Sequence, residues 1–114
     1  MIKLATLSMS VMGLASVAAV AVPMLHEEQI ARQEESRIIV MPIAGLENRL
    51  WFDYRINVAE ARKELGSDLR RATDIEDRRD AWEEYAVELK HARVHYIEEM
   101  AERGYRMGNA VIVD

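Results

Sequence analysis

Residues 73–104, TDIEDRRDAWEEYAVELKHARVHYIEEMAERG, decide the fold. Thr73 and Glu76 stand in the Thr-x-x-Glu arrangement of a capping box, and Asp74 and Asp77 put negative charge where the helix dipole favours it. Gly104 is the residue type that commonly ends a helix. Between these signals Ile75, Trp82, Tyr85, Leu89, Ala92, Tyr96 and Met100 recur at helical spacing. The stretch predicts one long helix from about Asp74 to Arg103. Asp74–Arg78, Arg79–Glu83 and Glu99–Arg103 are i,i+4 pairs that add tenths of a kcal/mol each.

Upstream, Leu50, Tyr54, Val58, Ala61, Leu65, Leu69 and Ala72 mark a second apolar stripe at spacings of four and three. Gly66 interrupts it at a cost of about 1 kcal/mol relative to alanine, which predicts a kink. Two helices of similar length joined by a tight turn pack antiparallel. The expected fold is therefore all-α, an antiparallel two-helix hairpin over residues 46–104. A turn at Thr73 sets Leu65 against Trp82, Ala61 against Tyr85, Val58 against Leu89 and Leu50 near Tyr96.

Residues 26–45 read as a charged linker followed by a short apolar strap. His26–Arg37 is a short helix or a mobile linker, with Glu28 and Arg32 at i,i+4. Ile38–Met41 is a β-branched run stopped by Pro42 and closed by Gly45. At the open end of the hairpin it is placed to pair with Ala110–Val113 of the C-terminal extended segment, residues 105–114, as two short flanking strands.

Residues 1–25 form an apolar leader in which Lys3 is the only charge. Two readings fit. One is a cleaved signal peptide, with Ala19-Val20-Ala21 as its small-x-small site. The other is an uncleaved transmembrane anchor over residues 4–25, for which about 20 apolar residues suffice. Both leave Lys3 in the cytoplasm and put everything after His26 on the exported side, the periplasm in a bacterium.

The exported part carries 14 basic against 20 acidic residues, because Lys3 is the only basic residue before it. That balance argues against sequence-independent nucleic-acid binding, and no polybasic patch is offered to anionic lipids. There is no cysteine, which excludes disulfides, thiolate catalysis and zinc–thiolate sites. No nucleophile motif, glycine-rich phosphate loop or His-Glu-x-x-His signature occurs.

The long second helix carries two further lines. Val87, Val94, Ala101 and Tyr105, bridged by Ile97, make a second apolar band, and Phe52, Ile56 and Ala59 sit well round from the inward stripe of the first helix. A lone hairpin buries one face of each helix, so the band predicts either association or cover by the linker and strap. Ile56, Val87, Val94, Ile97 and Ala101 are the expected interface, with a homo-oligomer or a membrane protein complex as partner.

The other line is Glu84, Glu88, His91, His95, Glu98 and Glu102. His91-x-x-x-His95 is the spacing with which one helix grips zinc, nickel or copper, and Glu88 extends the metal set. Facing away from Trp82, Leu89 and Tyr96, the line is otherwise a solvated face, and Glu60 and Glu64 fall on the outer side of the first helix. At the hairpin tip Arg70, Arg71, Arg78 and Arg79 are offset by nearby aspartates, and Trp51, Phe52 and Tyr54 read as core. The expected function is a non-catalytic exported structural or accessory interaction subunit without a cofactor. A periplasmic metal binder or sensor using His91 and His95 is the alternative.

Overall fold

Asn48, Asp74 and Gly104 punctuate the chain and set the helix limits. The computed structural model describes residues 23–107 together with Gly13, and the described residues form three helices with no strand. These are α1 (His26–Ser36), α2 (Arg49–Arg71) and α3 (Ile75–Glu102), with a short 3-10 turn at Ile43–Gly45. The all-α class holds. The greater part of the leader and the run at residues 110–113 lie outside the described residues.

The Asn48 side chain caps α2 by accepting the Trp51 N–H at 3.0 Å. The helix then runs unbroken through Gly66, where a kink was expected. A single glycine weakens the helix by only about 1 kcal/mol, and Leu65 and Leu69 pack against the core on either side of it. The start of α3 also differs from the capping box read in the sequence. Asp74 is the cap, accepting the Asp77 N–H at 2.8 Å, while the Asp77 carboxylate accepts the Thr73 N–H at 3.1 Å and its hydroxyl at 3.0 Å. Two short aspartates thus replace the Thr73–Glu76 pair, and Glu76 binds Arg79 at 3.0 Å instead. At the other end Gly104 takes a φ of 88°, and the Tyr105 N–H reaches back to the Met100 carbonyl at 2.9 Å.

Packing of α2 on α3 centres on aromatic rings. Tyr54 stacks on Tyr96 with centroids 5.0 Å apart, and Trp51 lies 5.8 Å from Tyr96. Tyr54 thus lies against Tyr96, and half-buried Leu50 lines the same cleft as both. Val58, Ala61, Trp82, Tyr85, Leu89 and Met100 complete the buried seam, while Ile75, in the first turn of α3, is exposed.

The charged stretch after the leader is a helix docked on α3. Glu27 lies 4.0 Å from Arg79, the Arg32 guanidinium stands 4.8 Å from the Trp82 ring centroid, and Glu34 binds Arg93 at 3.0 Å. These pairings make α1 run in the same direction as α3. Ala31 is fully buried and joins one core with Ile39, Ala86 and Ile97.

Ile38–Val40 forms no strand. Two amides of the strap are taken by side chains: the Ile39 N–H donates to the Tyr54 hydroxyl at 2.9 Å, and the Ile43 N–H donates to the Tyr96 hydroxyl at 3.0 Å. Ala44 and Gly45, both left-handed at φ 56° and 68°, then turn the strap into α2.

Candidate functional site

The line of carboxylates and imidazoles on α3 does not face open water alone. A groove of about 270 Å³ runs between α2 and α3, and its polar lining is Asn57, Glu60 and Glu64 from α2 with Glu88, His91 and His95 from α3. Glu60 and Glu64 are therefore not on the remote outer side of the first helix, as a helical wheel suggested. The wheel fixes a residue's angle about its own axis but not the angle at which two helices meet. Glu84, His91 and His95 are exposed and Glu88 is half-buried, while Glu98 and Glu102 continue the line beyond the groove in solvent.

The electrostatics of this groove are one-sided. No lysine or arginine lines it. Among the described residues Glu60, Glu64, Glu84 and Glu88 enter no ion pair, whereas Glu28, Glu35, Asp53 and Glu99 on other faces all do. At its tip-proximal end the carboxylate oxygens of Glu64, Asp68 and Glu84 lie within 4.8 Å of one another. Partial desolvation and then the Glu64 and Asp68 charges push the Glu84 carboxyl up, and the Glu88 carboxyl rises through desolvation and then the Glu64 charge.

The other candidate residues are dispersed. Ile56 and Val87 are 53% and 62% exposed, Val94 and Ala101 are half-buried, and Ile97 is enclosed within the chain's own core. Of the tip arginines, Arg71 pairs with Asp68 at 3.1 Å and Arg79 stands between Glu76 and Glu27. Trp51 and Tyr54 are buried, while Phe52 is exposed.

Two features had no clear signal in the sequence. A second groove, about 480 Å³, lies between the strap and α2, with Trp51, Tyr54 and Val58 in its lining beside Arg55 and Arg62. In addition, Val40, Met41, Leu46, Phe52, Tyr105 and Met107 are all exposed. Asn48, where α2 begins, donates to the Met100 sulfur at 3.4 Å, which brings the start of α2, between Leu46 and Phe52, to the end of α3, just before Tyr105 and Met107, away from the α2–α3 turn. Four short segments supply them, so no single periodic pattern displays them.

No helix among the described residues is long and apolar enough to cross a membrane. No protein-family model matches the chain, and no curated protein or solved structure matches it either.

Proposed function

We propose that the protein is a non-catalytic, exported structural or accessory interaction subunit working at the periplasmic face of the membrane, with the α2–α3 hairpin as its rigid body. The observation that carries this reading is the gathering of exposed apolar side chains at one end. Val40 is 82% exposed and Met41 74%, and Leu46, Phe52, Tyr105 and Met107 are exposed as well. An exposed apolar cluster of this kind on a small domain is a site for association. Ile56 and Val87 add apolar surface on the outer faces of α2 and α3. Export rests on the uncharged run after Lys3.

Light scattering on the full chain in detergent tests the proposal. The expected mass exceeds that of a monomer and falls to it in a Met41→Glu/Phe52→Glu variant. A monomer in both cases, with no membrane protein crosslinked through this end in cells, defeats it.

A further inference from the structure

We propose that the groove between the strap and α2 binds an extended peptide segment in which two acidic side chains flank an apolar one. The acids pair with Arg55 and Arg62, and the apolar side chain packs between them on Val58 and Ala59. This rests on the reading of the chain as an interaction subunit and supplies the chemistry of a partner.

The first observation is shape. The groove holds about 480 Å³, and ligand clefts run from about 300 to about 1,000 Å³. Trp51, Tyr54 and Val58, all buried, line it from α2, and Ile38, Ile39, Val40 and Pro42 line it from the strap. The hydrogen bond from the Ile39 N–H to the Tyr54 hydroxyl pins the strap to the helix. The groove is thus formed before a ligand arrives, which lowers the ordering cost of binding.

The second observation is charge. Arg55 and Arg62 line the groove, and neither enters an ion pair among the described residues, whereas Arg49 and Arg71 on the same helix pair with Asp53 and Asp68. The Arg55 guanidinium stands 5.8 Å from the Trp51 ring centroid, an arrangement that leaves its N–H donors for a ligand. Glu47, the one acid in the lining, precedes α2, so the helical wall itself is cationic and apolar.

The third observation is spacing. Arg55 and Arg62 are two turns apart, about 10 Å along the helix, with Val58 and Ala59 between them. In an extended peptide alternate residues share a face, so acids four apart stand about 13 Å from each other with an apolar residue midway. Two long, exposed arginine side chains cover the difference. Among the described residues the Val40 N–H on the facing wall has no hydrogen-bond partner, so a peptide backbone can pair there and a hydrocarbon chain cannot.

Titrating the acetylated, amidated peptide Glu-Thr-Val-Thr-Glu into the isotope-labelled full chain in zwitterionic detergent, followed by NMR near neutral pH, tests the site. Amide shifts are expected at Val40, Arg55, Ala59 and Arg62 and not along the Glu84–Glu102 line of α3. The peptide Gln-Thr-Val-Thr-Gln should bind about tenfold more weakly, which is two exposed charge pairs at about threefold each. Arg55→Gln/Arg62→Gln should weaken the glutamate peptide to the same degree and leave the glutamine peptide unchanged. Both side chains are exposed, so circular dichroism of this variant should match wild type. Absence of binding overturns the proposal, as do equal affinities for the two peptides or shifts confined to residues outside the groove. Arg55 and Arg62 are not the residues substituted to test association at the apolar end. The double variant should therefore keep the wild-type mass in light scattering, which tells failure of the groove apart from failure of the interaction role.

Discussion

Tyr54 and Tyr96 stack 13° from parallel across the α2–α3 seam, and each hydroxyl accepts a backbone N–H from the strap, Ile39 for one and Ile43 for the other. One aromatic pair thereby joins two helices and fixes the segment that leads from α1 to α2. Replacing either tyrosine by phenylalanine keeps the stacking but orphans a buried amide. Tyr54→Phe and Tyr96→Phe should each cost about 1–3 kcal/mol in urea unfolding, with faster hydrogen exchange at Ile39 or Ile43 respectively.

The same burial makes the fold sensitive to alkali. Burial raises Tyr54 above its ordinary value, against the opposing effect of the Ile39 N–H and nearby arginines, and burial followed by Glu35 raises Tyr85. A raised phenol contributes stability that is complete below the unfolded pKa of about 10 and lost as pH climbs through the folded value. The urea midpoint should therefore fall above about pH 10, and less steeply in Tyr54→Phe.

Glu34 and Arg93 form the one ion pair among the described residues whose side chains are both about 90% buried, and it ties α1 to α3. Glu34→Ala leaves the Arg93 charge buried and unmatched, at a cost of about 3 kcal/mol or more. Exchange experiments should then show α1 opening before α2 and α3. Replacing both partners together, as Glu34→Leu/Arg93→Met, should cost much less, because no buried charge then remains.

Glu84 and Glu88 are like charges four apart on α3, and desolvation followed by the Glu64 charge raises both carboxyls. Glu84→Gln should raise stability by a few tenths of a kcal/mol. Raised carboxyls stabilise the fold below their unfolded values and lose that contribution as pH rises through the folded ones. Thermal melts between pH 4 and 7 should accordingly show less relief from Glu84→Gln at the acid end.

Asp74 is the N-cap of α3, its side chain accepting the Asp77 N–H. Asp74→Ala should lower stability by about 1 kcal/mol, whereas Thr73→Ala, which removes only a hydroxyl bound to Asp77, should cost less. Denaturation of both variants side by side checks the assignment.

Helical periodicity made α2 and α3 legible within a few residues, because each buries a continuous stripe whose period reports the helix directly. Docking of α1 was not legible in the same way. Only Ala31 and Glu34 of this helix are buried, and it binds α3 largely through arginines and glutamates that look like a solvated surface in one dimension. Ile97 belongs to the core that Ala31 of this helix and Ile39 of the strap join, and so is interior rather than part of an exposed band. The strap was legible as an apolar run, but its pairing was not, since tyrosine hydroxyls from two distant helices take the hydrogen bonds a partner strand would supply. For the candidate site, the spacing of Glu88, His91 and His95 was plain. The contribution of Glu60 and Glu64 depends on how α2 leans against α3, which no single-helix pattern encodes.

The direction of α1 has a consequence for how the molecule would stand on a surface. Its first turn lies beside Arg79, near the α2–α3 turn, while exposed Leu46, Phe52, Tyr105 and Met107 lie toward the opposite end, where Asn48 meets Met100. At 1.5 Å per residue the 28 residues of α3 span about 42 Å. A chain tethered at residue 25 would thus carry its adhesive end roughly 40 Å away from the tether. It would act as a stand-off post, reaching a partner held well clear of the lipid rather than one lying in it.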